Sequence, residues 1–260
     1  MKGLLLLGGH GTRVRDLGYS NKHLIPVGGV PLYQHGIRAL LGHGFTGIGV
    51  VVSDIDSEIG RLVNEDPHVN AVILQPEPRG IAHAILCARD WIGAEPFVLL
   101  LGDNLFQRGI GRFIEAWHTY HPAAVIGLSK VADPTRYGVA TVDGAGRVSY
   151  IAEKPKVPES NLAIVGCYIL DPLVAFPLLH RQRPSMRGEL EITELLREMP
   201  SIHALKIRGW WRDAGTPESL AEAENLLSGP SEEGSELLKA HKLGGPQAAC
   251  DCVQRGLKHD

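Results

Sequence analysis

An apolar run, Gly3–Leu7, leads directly into Gly8-Gly9-His10-Gly11-Thr12-Arg13. Glycines at the end of a buried strand let backbone N–H groups come close to an anion, and Arg13 adds a rigid cationic fork suited to phosphate oxygens. Lys22 follows in Asn21-Lys22-His23-Leu24-Ile25-Pro26-Val27 as a second cation within reach of the same loop. Neither the third glycine of a dinucleotide fingerprint nor the Gly-Lys-Ser/Thr ending of a Walker A loop is present. A structural turn accounts for such glycines as well, so the specificity of the signal rests on Arg13. Carboxylates offer the complementary chemistry. Asp103 closes the apolar run Phe97–Leu101, and Asp213 precedes Gly215-Thr216. Both are hard oxygen donors of the kind a Mg²⁺ ion prefers. Taken singly, Asp103 reads equally as a turn cap and Asp213 as a solvated loop residue. Glu153-Lys154 reads as a surface ion pair and Tyr137 as core filling.

Such residues need a frame. Lys2–Leu7, Ile48–Val52, Ala71–Leu74, Phe97–Leu101 and Ala123–Leu128 read as buried strands. Helix-like stretches at Leu32–Leu41, Ile55–Val63, Gly80–Trp91 and Ile110–Tyr120 alternate with them. Alternation of this kind predicts βαβ units, and continuous Leu/Val/Ile strands fit a mainly parallel sheet covered on both faces. Ligands then bind outside the carboxyl ends of the strands, where the glycines lie. After residue 130 the pattern changes. Tyr137–Val142 and Arg147–Ile151, joined by Asp143-Gly144-Ala145-Gly146, read as a hairpin. Leu162–Leu170 and Ile202–Ile207 read as strands, and Pro172–Leu179, Glu189–Glu198 and Pro217–Leu227 as helices, the last capped by Thr216. Ser228 to Asp260 carries Gly-Pro-Ser, Glu-Glu-Gly and Gly-Gly-Pro, which predicts a loosely ordered tail with one short helix near Glu236–His241.

Composition narrows the classes. The 260 residues carry 26 Lys+Arg against 29 Asp+Glu, a net charge of −3 without the basic excess of a nucleic-acid binder. No apolar run approaches the roughly 20 residues of a membrane span, and Gly8 interrupts the N-terminal one too early for a signal peptide, so a cytoplasmic protein is expected. Of the four cysteines, Cys87 and Cys167 sit in apolar surroundings as small core residues. Cys250 and Cys252 form a C-x-C pair with no second cluster to complete a metal site.

Several segments together resemble the sugar-1-phosphate nucleotidylyltransferases. G-G-x-G-T-R followed by Lys22-His23-Leu24-Ile25-Pro26-Val27 opens the series. Gln75-Pro76 with Gly80-Ile81-Ala82 resembles the base-reading segment, and Leu101-Gly102-Asp103-Asn104 the metal-binding strand end. Tyr137-Gly138-Val139, Glu153-Lys154-Pro155 and Val165-Gly166-Cys167-Tyr168 resemble the sugar-binding parts. Gly188-Glu189-Leu190-Glu191-Ile192-Thr193 and Trp211-Arg212-Asp213-Ala214-Gly215-Thr216 complete a set that keeps the family's order over about residues 1–228. The wording is most like the branch that joins dTTP to glucose 1-phosphate.

The resemblance implies a Rossmann-like three-layer α/β/α sandwich, with a mostly parallel mixed sheet and an inserted sugar-binding region. Residues 1–130 would mainly bind nucleotide, 131–228 mainly sugar phosphate, and 229–260 would be a tail. It implies Mg²⁺ as cofactor, a nucleoside triphosphate and a sugar 1-phosphate as partners, no nucleic acid or membrane, and compatibility with a homo-oligomer. Leu6, Gly8, Gly9, Gly11, Thr12, Arg13, Gln75, Pro76, Gly80 and Asp103 would bind the nucleotide. Tyr137, Gly138, Glu153, Lys154, Gly166 and Tyr168 would hold the sugar phosphate. Asp103 and Asp213 would share the metal, and Arg13, Lys22 and Asp103 would be catalytic. Gln75 would offer a pyrimidine's imide edge both a donor and an acceptor, and Gly80 would let the main chain approach the ring.

Departures are local. Val14-Arg15-Asp16-Leu17-Gly18 replaces the family's usual Leu-x-Pro, and His23 stands where its nearest branch has Gln. The tail has no match to that branch's longer helical ending, and the hexapeptide repeats of the UDP-N-acetylglucosamine and ADP-glucose branches are missing. Alternatives are a UTP- or GTP-dependent enzyme for another sugar or cyclitol phosphate and a non-catalytic nucleotide-sugar sensor. An NAD-dependent oxidoreductase is a further rival, disfavoured by the glycine pattern although Asp54 follows strand two.

Overall fold

A computed structural model describes residues 1–8, 18–143 and 147–228. Gly9, Gly11, Thr12, Arg13 and the altered stretch after it as far as Leu17 lie outside the described residues. So do the hairpin tip Gly144-Ala145-Gly146, Cys250 and Cys252, and the helix expected near Glu236–His241.

The parallel core has β1 (Lys2–Leu6) between β4 (Ile48–Val52) and β6 (Phe97–Leu101), with β5 (Ala71–Leu74) at the edge beyond β4. Leu6 is opposite both Val51 and Leu101, so these strands end level with one another. Backbone bonds extend that level past the strand ends: Gly102 N–H donates to Leu6 O at 2.9 Å, and Gln75 N–H donates to Val52 O at 2.8 Å. Gly8, Gln75 and Asp103 therefore leave the sheet along one carboxyl edge.

Leu4 packs on one face of the sheet, Leu5 and Leu7 on the other. The first face is covered by α3 (Ile81–Cys87), α4 (Arg89–Ile92), α6 (Pro172–Leu179) and α7 (Ile192–Glu198). The second is covered by α1 (Leu32–Leu40), α2 (Glu58–Glu65) and α5 (Gly111–Tyr120). At about 25 cal/mol per Å² of apolar surface removed from water, these two layers are the main source of stability. Among the described residues no helix is long and apolar enough to cross a membrane.

The second half joins the same sheet in antiparallel sense. The long strand β11 (Leu162–Leu170) pairs with β6, with β9 (Gly138–Val142) and with β8 (Ala124–Lys130). Beyond these lie β10 (Val148–Glu153) on β9 and β12 (Ile202–Lys206) on β8. On β11 the register slips between Ile164 and Tyr168, which are opposite Leu128 and Ile126, and Gly166 lies in the resulting bulge.

Two short ribbons escape a reading based on apolar periodicity. β2 (Pro26–Val27) pairs with β3 (Val30–Pro31), and β7 (Asn104–Phe106) pairs with β13 (Trp211–Asp213). Between them and α8 (Pro217–Ser228) sits a third small core of Ile25, Val27, Leu32, Leu105, Ala214, Leu220 and Ala223.

Three of the expected helices change their bounds for local reasons. The helix expected from Ile55 starts at Glu58, because Ser57 caps it by accepting from Gly60 N–H. The stretch Gly80–Trp91 divides at Ala88 into α3 and α4. The helix expected from Glu189 starts at Ile192, since Leu190 runs extended and exchanges backbone bonds with Arg79 and Ala82. Cys167 is buried as expected, whereas Cys87 is only half-buried.

Candidate active site

Asp103 lies two residues beyond β6, and Lys22 opens a 3₁₀ turn over Lys22–Leu24 that Asn21 caps through His23 N–H at 2.9 Å. Lys22 Nζ donates to Asp103 Oδ2 in a direct ion pair. Burial works against the Asp103 charge, but the Lys22 ammonium and the Asn104 amide outweigh it and hold the carboxyl down at about 2. His23 is buried beside the pair, and burial first and Lys22 second keep its imidazole neutral, lowering it to about 3. This is the position where the family's nearest branch has Gln, and a neutral ring there adds no charge to the site.

Asn104 was not expected to do more than follow Asp103, yet it ties three elements together. Its Nδ2 donates to Asp103 Oδ1 at 2.8 Å, while its Oδ1 accepts from Gly166 N–H at 2.8 Å and from Trp211 Nε1 at 2.7 Å. A Cβ on Gly166 would lie 2.6 Å from the Asn104 amide, so glycine at this bulge is a steric requirement.

The β7–β13 ribbon brings Asp213 into the site. Asp213 is in register with Asn104, and Ala214 N–H donates to Asp103 O at 2.7 Å. The point a Cβ would occupy on Gly215 lies 3.0 Å from Asp213 Oδ1 and 3.9 Å from Asp103 Oδ2. Two carboxylates thus converge on a space that any side chain at position 215 would fill. Among the described residues no third carboxylate, His or Cys joins them. That donor set suits a divalent cation whose remaining ligands are phosphate oxygens and water.

On the other side of Asp213 stands Tyr137, in edge-to-face contact with Trp211 at 5.7 Å between ring centroids. Its hydroxyl is raised by burial and by the Asp213 charge. Glu153 ends β10, with Oε1 accepting from Arg187 Nη2 at 3.1 Å and Oε2 from Thr193 Oγ1 at 3.0 Å. Lys154 Nζ is 3.5 Å from Glu153 Oε1, its backbone is left-handed at φ 41°, and its N–H donates to Tyr137 O. Gly138 is packed against Thr193 and Glu153, and Tyr168 is buried, with its hydroxyl raised by burial and by Glu153. Arg187 and Thr193 carry this second cluster as much as Glu153 does. The sequence signal for them was only their place beside or within Gly188–Thr193.

At the base end, Gln75 is buried, and its Oε1 is 3.1 Å from the point a Cβ would take on Gly8. Gln75 Nε2 donates to Gly80 O at 3.0 Å and lies 3.2 Å from His83 Nδ1. The expected donor of Gln75 is therefore already engaged, and only its acceptor faces the glycine loop. Gly80 has φ +97°, and a Cβ there would lie 2.5 Å from Leu190 O. Its close approach is thus to the backbone before α7, which accounts for the glycine without a ligand. Leu6 is half-buried at the end of β1, and Pro76 is exposed.

Comparisons with known proteins identify the family of the chain. The family model described as "Nucleotidyl transferase" matches residues 2–228. A glucose-1-phosphate thymidylyltransferase of Streptomyces antibioticus is 36% identical over 236 residues, 87% of this chain and 66% of that protein, so the chain spans about two thirds of its length. A UTP–glucose-1-phosphate uridylyltransferase of Haloferax volcanii is 34% identical over 246 residues, 91% of this chain and 100% of that protein. A solved structure from Bacillus anthracis, described as a glucose-1-phosphate thymidylyltransferase in complex with sucrose, superposes with a TM-score of 0.78 at 33% identity, over 89% of this chain and 96% of that one.

Proposed function

From the premise that the chain belongs to the nucleotidyl transferase family, we propose that it joins a nucleoside triphosphate to a sugar 1-phosphate, releasing pyrophosphate. A phosphate oxygen of the sugar attacks the α-phosphorus in line, the bond to the β-phosphate oxygen breaks, and the charge moves onto pyrophosphate. Such a reaction calls for positioning and charge neutralisation more than for covalent help.

The observation that carries this reading is the convergence of Lys22, Asp103 and Asp213 at the carboxyl edge of the parallel strands, the edge from which Gly8 also leaves the sheet. Mg²⁺ held by Asp103 and Asp213 supplies positive charge to the phosphates when bound. Lys22, paired with Asp103 Oδ2, supplies a cation for the α-phosphate. Arg13, outside the described residues, takes the departing pyrophosphate, with Gly9, Gly11 and Thr12 as the rest of the phosphate loop. Lys154 and Arg187 hold the phosphate of the sugar, and Glu153 accepts from its hydroxyls. Residues 1–228 are the catalytic unit.

The Gln75 acceptor favours a base that presents an N–H at its imide edge, which suits dTTP and UTP. We place dTTP with glucose 1-phosphate first, because thymidylyltransferases are among the relatives of similar identity. UTP is the second reading, carried by the uridylyltransferase that this chain matches over its full length. Four triphosphates tested against a panel of sugar 1-phosphates, with pyrophosphate release as readout, decide between them. Release with dTTP or UTP and glucose 1-phosphate, abolished by EDTA, is the expected result. Release with no pair, or with ATP or GTP at least as fast, overturns the reaction or the base assignment respectively.

A further inference from the structure

We propose that His83 is a positioning residue for base choice: it locks the Gln75 amide so that the site offers the base an acceptor and no donor. The inference rests on the reading of Gln75 as the base contact and goes beyond it by naming what sets the polarity of that contact. A primary amide has two N–H donors and one carbonyl acceptor. One N–H is fixed by Gly80 O, 3.0 Å away, which can only accept. That carbonyl is itself held, because Gly80 sits at φ +97° against the backbone of Leu190. The same nitrogen lies 3.2 Å from His83 Nδ1, within reach of its second N–H. For Nδ1 to accept, the ring must be neutral with its proton on Nε2, and Nε2 lies 3.8 Å from Cys87 Sγ, a weak acceptor one helical turn along α3.

With both donors engaged, Oε1 beside Gly8 is the only group Gln75 presents to a ligand. Thymine and uracil place N3–H against such an oxygen. Cytosine places a bare N3 there, which sets one lone pair against another. Without His83 the amide keeps a single anchor, its second N–H is released, and the flipped orientation, which suits cytosine, becomes accessible. His83 touches no substrate in this account and acts only through Gln75.

UTP and CTP test this directly, since they share ribose and triphosphate and differ only at the imide edge. The UTP/CTP ratio of kcat/KM, and the same ratio from calorimetric binding without sugar phosphate, are measured for wild type, His83→Leu and His83→Asn. The wild type is expected to favour UTP. Leucine removes the acceptor and should lower the ratio about tenfold, through KM more than kcat, as expected for one hydrogen bond. Asparagine can place Oδ1 near the position of Nδ1 and should restore most of the preference. His83→Ala serves if the leucine variant does not fold. An unchanged ratio in His83→Leu overturns this proposal while leaving Gln75 as the base contact. A wild type without UTP preference overturns the Gln75 reading and this proposal with it, and a chain that binds both nucleotides with UTP preference but releases no pyrophosphate refutes only the reaction.

Discussion

Asp103 and Glu153 are both acids at strand ends, and the protein holds them in opposite ways. Among the described residues Asp103 has a single cationic partner, Lys22, plus one amide. Glu153 has two cations and a hydroxyl, from Lys154, Arg187 and Thr193. The first arrangement rests on one movable cationic side chain, as would suit a carboxylate that is to hold a metal. The second is held at both oxygens by three side chains, as would suit an acceptor for neutral sugar hydroxyls. The acid beside the parallel strands is thus held by charge at one point, and the acid of the antiparallel half at several.

The largest effect should come from Asp103→Asn. It removes the metal carboxylate and leaves Lys22 without its counter-ion, so turnover should fall by about 10²–10³-fold, the scale of a lost electrostatic contact at the reacting centre. Added Mg²⁺ should not recover it. Steady-state rates across a Mg²⁺ titration measure both, and near-normal turnover would break the contrast at its first member. Glu153→Gln should raise the KM for the sugar phosphate about tenfold with a smaller change in kcat, because a neutral amide can still accept. A fall confined to kcat would place Glu153 on the same footing as Asp103.

Gly166→Ala probes the joint between the halves. The new methyl meets the Asn104 amide at 2.6 Å and should cost about 1–3 kcal/mol of stability, read by urea unfolding, together with weaker Mg²⁺ activation. The smallest effect concerns His23. Burial and Lys22 lower its pKa in the folded protein to about 3, below the usual 6.5 of a histidine, so the unfolded chain binds its proton first as pH falls. The stability it contributes is complete above about 6.5 and declines as pH drops toward 3. His23→Gln should reduce that decline, measured as the difference in urea midpoint between pH 7.5 and pH 5.5. An unchanged slope would mean that His23 does not carry it.

Much of this was legible in the chain. Ile48–Val52, Ala71–Leu74, Phe97–Leu101 and Leu162–Leu170 appear with the bounds expected, because continuous apolar runs flanked by polar or turn-forming residues leave little choice of strand limits. The family's motif order led to Lys22, Asp103, Glu153 and Asp213. Missing were the ties between them. Strands β7 and β13, three residues each, are too short for any periodicity, yet they set Asp213 beside Asn104. The donors to Glu153 and the anchors of Gln75 come from residues distant in sequence or one helical turn into α3, and polar contacts of that kind leave no repeat to read.

The β7–β13 ribbon also carries a consequence for the making of the protein. Asn104 and Asp213 are partners in register, but synthesis delivers the second only after the whole antiparallel half has been made. At about 5–20 residues per second, several seconds separate the emergence of Asp103 from that of Asp213. A chain that stops short of β13 would lack both the partner strand of β7 and the second carboxylate. It would also have left Asn104 without the Trp211 donor that ties it to the bulge at Gly166.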